Sequence, residues 1–208
     1  IYSDNDFILQ SEYRQAYENS NLIADFSYNN DNDNTNTHTF IDLRGQFNDK
    51  LNYSMEFQNV TNDNYLKIHD LESIADTNIL MSRIDTSTLT SYFKIENEID
   101  EYTQLDTSIR MYEDLSVNSD NDKYQYIFPD FSFNKNIELD ESYNGNFDFS
   151  SSGYQKSYNT NVYEAQVNND FKFSSFNSFT KKGIVSNYNL LLKNYNTYSE
   201  NSSVFDEN

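Results

Sequence analysis

Apolar and polar side chains alternate along this chain with a period of two. From Phe7 one parity reads Phe7, Leu9, Ser11, Tyr13 and the other Ile8, Gln10, Glu12, Arg14. Leu22, Ala24, Phe26 and Tyr28 stand against Ile23, Asp25, Ser27 and Asn29. Ile41, Leu43, Gly45 and Phe47 stand against Phe40, Asp42, Arg44 and Gln46, and Leu51, Tyr53, Met55 and Phe57 against Asn52, Ser54, Glu56 and Gln58. Successive side chains of a strand point to opposite faces, so each segment predicts a strand with one apolar and one polar face. The same alternation recurs around 89–96, 104–111, 130–134, 147–150, 163–171 and 187–193, which makes about ten strands.

Most of these segments run to about nine to twelve residues, longer than the usual soluble strand and suited to a tilted crossing of a bilayer. The connections alternate too. Glu18-Asn19-Ser20 and Asn48-Asp49-Lys50 are tight and 97–101 is short, whereas 30–37 and 115–124 are longer and 59–86 is very long; after Asn134 the alternation blurs. Short turns on one side and long loops on the other are a habit of outer-membrane barrels. On that reading the polar parity lines a wet lumen. Its candidate lining residues are Glu12, Arg14, Asp25, Asp42, Arg44, Glu56, Lys94, Asp106, Arg110 and Glu164. The apolar parity meets lipid, and Tyr28, Phe47, Tyr53 and Tyr112 suit interfacial girdles. A soluble β-sandwich also alternates, but its shorter strands and Gly/Pro-rich turns fit this chain less well.

Composition narrows the picture. The formal charge is −20, yet the chain carries 18 Tyr and 16 Phe, far too many aromatics for a segment built to stay unfolded. With four Gly and one Pro it is no collagen-like repeat. Without Cys it has neither a disulfide framework nor a thiolate zinc site. Its acidity argues against nucleic acid, which needs Lys and Arg patches. The 32 Asn fit an AT-rich genome. The start at Ile1, with no basic leader before an apolar stretch, suggests an interior piece of a longer protein.

Few motifs carry chemistry. Asp31-Asn32-Asp33-Asn34-Thr35 resembles the start of an EF-hand loop, but Asn36 replaces the required Gly and Asp42 the closing Glu. His38 and His69, expected in loops or at loop edges, are too few and too far apart for a transition-metal site. No nucleophile elbow, P-loop or dinucleotide fingerprint occurs, and no Ser–His pair stands out in the order. Neither catalysis nor a cofactor or metal is expected.

The order of the segments is similar to one family. Phe7-Ile8-Leu9-Gln10-Ser11-Glu12-Tyr13-Arg14 resembles the L-x-x-E-[FY]-R strand of the outer-membrane LPS-assembly protein LptD family, the organic solvent tolerance proteins. Residues 22–32 resemble the strand that follows it, ending in an Asn/Asp-rich loop. Phe57-Gln58-Asn59-Val60-Thr61-Asn62-Asp63-Asn64-Tyr65-Leu66-Lys67-Ile68-His69-Asp70 is similar to the family's V-S-D-x-x-Y-[FL]-x-D segment, which opens a long loop. Leu89-Thr90-Ser91-Tyr92, Tyr112-Glu113-Asp114-Leu115 and Tyr126-Ile127-Phe128-Pro129 resemble later landmarks, the last at the lone proline. The resemblance runs from about Phe7 to Phe173. The chain departs from the family at Asn62, where Asp is usual, in having no Trp, and in lacking an Arg near Tyr163.

The resemblance implies an all-β fold: an antiparallel transmembrane β-barrel segment, incomplete and without closing strands, in the cell outer membrane of a Gram-negative bacterium. It implies that residues 1–208 belong to one barrel domain, with the periplasmic jellyroll and the first barrel strands outside this chain. It also implies transport of lipopolysaccharide into the outer leaflet. The partners would be an LptE-like lipoprotein plug and, through the jellyroll, an LptA-like periplasmic bridge. Loop contacts to lipopolysaccharide phosphates would run through divalent cations, with Asp31, Asp33, Asp120 and Asp122 as candidates. A porin-like passive channel and an acidic soluble β-rich interaction module stay open as alternatives.

Overall fold

A computed structural model describes residues 7–31, 34–69, 71 and 87–202. Its strands are β1 (Ile8–Ala16), β2 (Ser20–Asp31), β3 (Asn34–Asn48), β4 (Leu51–Val60), β5 (Thr88–Asp100), β6 (Thr103–Asp114), β7 (Tyr124–Glu138), β8 (Gly145–Tyr158), β9 (Tyr163–Ser175), β10 (Ser178–Phe179), β11 (Val185–Ser186) and β12 (Asn189–Glu200). A short α-helix, α1 (Tyr65–His69), lies between β4 and β5, and a single 3-10 turn (Glu141–Tyr143) lies between β7 and β8 among the described residues. β1 to β9 and then β12 form a single antiparallel sheet of ten strands in chain order, and β10–β11 is a small hairpin before the last strand. β1 and β12 are its edges, so the sheet is not closed among the described residues.

Residues directly opposite each other on paired strands share a face. Register therefore fixes which side chains lie together. Glu12 faces Asp25, Asp25 faces Phe40, Asp42 faces Glu56 and Ser54 faces Lys94. Tyr92 faces Arg110, Glu96 faces Asp106, Ser108 faces Asp130 and Lys156 faces Glu164. The polar parity of every strand thus falls on one side of the sheet. In β7 a bulge between Ile127 and Asp130, at Phe128-Pro129, adds one residue opposite Ser108–Arg110. Pro has no N–H to give a ladder, so a bulge is where a strand can hold it. The extra residue puts Ile127 and Asp130 on the same face and resets the alternation.

The two faces are not equally open. Away from α1, Ser108 is 5% and Glu164 2% exposed, while the opposite-facing neighbours Ile109 and Val167 are 49% and 36% exposed. A flat single layer would open both sides alike. Through its middle the sheet therefore curls with its polar face inward, while at the β12 edge that face opens and leaves Leu191 and Tyr195 exposed. The chain exposes 14023 Å², against about 10,000 Å² for a compact monomer of its 24.5 kDa. Its buried apolar cluster is small: Phe40, Val60, Tyr65, Leu66, Leu71, Leu89 and Leu115, with Ile8 and Ile23 packed against it.

Asn and Asp do the turning that Gly and Pro do elsewhere. Their side chains accept backbone N–H groups two residues on, at Asn48–Lys50, Asn62–Asn64, Asp100–Tyr102, Asp114–Ser116 and Asp140–Ser142, all at 2.8–2.9 Å. Asn144, Asn161 and Asn201 hold positive φ. Part of the Asn excess is thus structural. Gly45 and Gly153 sit under aromatic side chains: a Cβ would meet the Tyr53 hydroxyl at 2.6 Å or the Phe131 ring at 2.9 Å.

Two expectations change. The connection expected at 30–37 shrinks to residues 32 and 33, because β2 and β3 pair as far as Asp31 and Asn34. The alternation of connections holds at 49–50, 61–87, 101–102 and 115–123 and blurs after Asn134 as expected, with 159–162 short and 176–188 long. Tyr112 lies opposite Thr90 and Gln125, on the polar face, so it is no part of an outward girdle. Tyr28 and Tyr53 do fall on the apolar face.

The turn chemistry is testable. Asn161 has φ 64°, a conformation that costs most L-residues about 1–2 kcal/mol but not Asn or Gly. Asn161→Ala should lower the thermal unfolding midpoint by several degrees, while Asn161→Gly leaves it nearly unchanged. Far-ultraviolet circular dichroism reads both.

Candidate functional site

The inward polar face is the candidate site, and it is built strand by strand from the alternation itself. All ten lining candidates lie on it, but they do not converge. Most are tied into local ion pairs. Along single strands, where i and i+2 share a face, Glu12 pairs with Arg14, Asp42 with Arg44 at 2.9 Å, and Lys94 with Glu96 at 2.5 Å. Across strands, Arg110 meets Asp130 at 3.1 Å, Lys156 meets Glu164 at 2.5 Å, and Lys193 meets Asp170 at 3.2 Å. Asp106 instead takes the Gln104 amide at 3.1 Å, and Glu56, facing Asp42, takes the Gln58 amide at 2.5 Å. Arg14, Arg44, Lys94, Arg110, Lys156 and Lys193 are thus engaged by neighbouring acids, and the face presents a mixed, hydrated lattice rather than an anion trap.

Toward the tight-turn end this face holds a cavity of about 650 Å³. Gln104, Asn134, Asn136, Asp148, Asp170 and Lys172 line it from four strands. The Asn136 amide donates to Asp148 at 2.6 Å. At its rim the Tyr102 phenol is pushed up to about 12 by hydrogen bonds to Glu138 and Glu101 and by their charges.

At the loop end the face carries a network that sequence order did not reveal. Ser27 Oγ lies 2.5 Å from His38 Nδ1 and 2.9 Å from the Tyr65 hydroxyl. His38 Nε2 is 3.5 Å from Asp25 Oδ1 and makes no hydrogen bond to it. His38, expected in a loop or at a loop edge, is therefore a buried residue inside β3, and His69 ends α1. Ser, His and Asp are the parts of a hydrolytic triad. Here Ser27 is fully buried and its hydroxyl is also held by Tyr65, so no substrate carbonyl reaches Oγ in this conformation. The signal was present as shared parity of Asp25 and Ser27 with His38, but only the β2–β3 register turns parity into contact.

At the loop-side rim, Lys123 Nζ donates to Asp63 at 2.8 Å and lies 3.4 Å from Glu113, which accepts from the Tyr124 hydroxyl at 3.1 Å. Burial works against the ammonium, but the Asp63 hydrogen bond and charge, with Tyr124 and Glu113, hold its pKa above the ordinary lysine value. A raised folded-state value means that the clamp contributes fully below the free-lysine pKa and is lost only as pH rises through the folded one.

Among the described residues no group of three or more His, Asp or Glu side chains could hold a metal ion. Asp33 and the Asp31 side chain lie outside the described residues. Asp122 accepts the Thr160 hydroxyl, and Asp120 sits in the same 115–123 connection. Compared with known protein families and with curated proteins, the chain matches none.

The lattice makes a measurable demand. Lys156→Ala leaves Glu164, 2% exposed, with its charge uncompensated. The expected loss is about 2 kcal/mol, below the range for a fully buried pair because the Lys156 side chain keeps some solvent. Adding Glu164→Gln should recover most of it. Urea unfolding of the two variants and the parent checks the sign and the recovery.

Proposed function

We propose that this chain is part of the wall of an outer-membrane β-barrel, that its polar face lines the lumen, and that the barrel delivers lipopolysaccharide to the outer leaflet. The observation that carries the barrel reading is the inverted polarity of the sheet. Leu9, Tyr13, Phe26, Phe57, Phe93, Ile109, Leu190 and Leu192 are all exposed on the outward side, while Asp25, Asp42, Ser108 and Glu164 are buried on the inward side. Apolar area left in water forgoes about 25 cal/mol per Å². A face this wide is therefore matched to a hydrocarbon solvent. Strands of 9 to 15 residues in the ten-stranded sheet have the length to cross a bilayer when tilted.

The choice of cargo rests on the resemblance to the LptD family and on what its longest motif does here. Val60, Tyr65 and Leu66 of that motif are buried and Asp63 binds Lys123, so the motif positions are the ones that fix the loop root. In this reading the chain makes and breaks no bond and is not an enzyme. Asn, Ser, Gln and paired charges of the lumen replace water around a sugar headgroup, while acyl chains leave sideways into the bilayer. Energy comes from ATP hydrolysis elsewhere. An LptE-like lipoprotein in the lumen and an LptA-like bridge on the periplasmic side would be the partners. The acidic lumen and loops repel bare phosphates, so contacts to them require intervening cations.

Two experiments test the reading at its two levels. Ile109→Arg on the outward face should cost about 2–4 kcal/mol and impair insertion if lipid covers it, whereas an exposed soluble surface tolerates the change within about 0.5 kcal/mol. Depletion of the full-length protein should stop newly made lipopolysaccharide from reaching the cell surface. Insertion that depends on Ile109 with normal surface delivery would keep the barrel, reject this cargo and favour a porin-like channel. A detergent-independent, soluble product would reject the barrel as well.

A further inference from the structure

The segment after β4 does not run outward as a surface loop. The Thr61 N–H donates to the Thr37 carbonyl at 3.0 Å, and the Thr37 N–H donates to Thr61 Oγ1 at 2.8 Å. This double contact extends the β3–β4 pairing by one step toward the start of β3, so the helix begins directly above the sheet. Asn62 then opens α1, its carbonyl accepting from the Tyr65 N–H at 3.0 Å. The helix brings Tyr65 and Leu66, both at most 1% exposed, onto the polar face. Tyr65 reaches Ser27 on β2, and its ring lies 6.5 Å from that of His38 on β3. Leu66 belongs to the buried apolar cluster that includes Phe40 and Val60 of the polar face and Leu89, whose register puts it on the opposite parity of β5. On the other side of the same turn Asp63 holds Lys123 from the β6–β7 connection. One short segment is thereby anchored twice, once inside the concavity and once at its rim. Connections ordinarily stay on the surface, where water satisfies their backbone, so a connection that buries its own aromatic and aliphatic residues against the concave face has a specific placement.

We propose that residues 60–69 form a strap that closes the loop-side end of the concavity over β2–β4, latched inside by Tyr65 on the Ser27–His38 pair and outside by Asp63 on Lys123. The strap goes beyond the cargo reading, because it rests on the enclosed polar face and not on what passes along it. The two latches differ in kind. The inner one is a buried hydrogen bond with apolar packing. The outer one is a partly exposed ion pair, and so the weaker link. Release at the rim exposes the anchor residues of the inner latch to solvent, and the strap can then swing away from the β2–β4 wall while the sheet stays intact.

Hydrogen exchange on the full-length protein tests this. Amides of 61–69 should exchange slowly in the parent. Tyr65→Phe, which removes only the inner hydroxyl, and Lys123→Ala, which removes the rim anchor, should each speed exchange of 61–69 by roughly tenfold, with peptides of β2 and β4 unchanged. A second readout uses the absence of Cys from this chain. A maleimide should label Leu66→Cys at least tenfold more slowly than Ile68→Cys, which sits at an exposed position, and Lys123→Ala should narrow that gap. The strap is rejected if 61–69 exchanges at the unprotected rate in the parent, if neither Tyr65→Phe nor Lys123→Ala changes it, or if Leu66→Cys labels as fast as Ile68→Cys.

Discussion

A slip of one residue in any of the nine pairings of the large sheet would carry a row of charges to the apolar side and a row of aromatics to the polar side. That constraint, one phase shared by ten strands, governs the rest of the structure. It gathers Glu12, Asp25, Asp42, Lys94, Arg110 and Glu164 on one surface although up to 152 positions separate them, 164 minus 12. It also explains how a chain of charge −20 folds with so small an apolar cluster. Its apolar surface is not hidden inside the molecule; it is turned outward.

The polar face pays for its enclosure locally. Exposed ion pairs contribute only about 0–1 kcal/mol each, so the lattice of Glu12–Arg14, Asp42–Arg44, Lys94–Glu96 and Arg110–Asp130 is better read as compensation than as a source of stability. Each pair keeps a charge tolerable on a surface with restricted water. Asp25 is the exception: it faces Glu12, its carboxylate lies 3.5 Å from His38, and it accepts no hydrogen bond among the described residues. It lies beside the anchor of the strap, where the sheet is most deeply covered. The strap, the buried network and the small apolar cluster are one assembly at the loop end, while the cavity lies toward the opposite end.

Much of this was legible in the order of residues. Period-two alternation placed the ten long strands, and i, i+2 charges such as Asp42 and Arg44 already implied pairs on one face. The resemblance likewise picked out the 57–70 segment, though not its inward path. Three things were hidden. Tyr112 reads as an interfacial aromatic by type, yet its parity puts it on the polar face. The bulge at Phe128-Pro129 shifts the phase of β7, so a strict alternation count goes astray there. The Ser27–His38–Tyr65 network joins residues 11 and 38 apart in sequence, and no local pattern encodes such distances. Asn also proved easy to misread: what looks like genomic bias supplies turn acceptors and left-handed residues at Asn62, Asn144 and Asn161.

The central claim is that lipid covers one face of this sheet and water the other, and a spin-label scan along β6 addresses it most directly. Single cysteines at 104 to 111, in the full-length protein reconstituted in bilayers, would carry nitroxides probed by oxygen, which concentrates in hydrocarbon, and by a water-soluble nickel chelate. The account predicts period-two accessibility in opposite phase, with 105, 107, 109 and 111 favouring oxygen and 104, 106, 108 and 110 favouring nickel. Equal nickel access on both parities would contradict it.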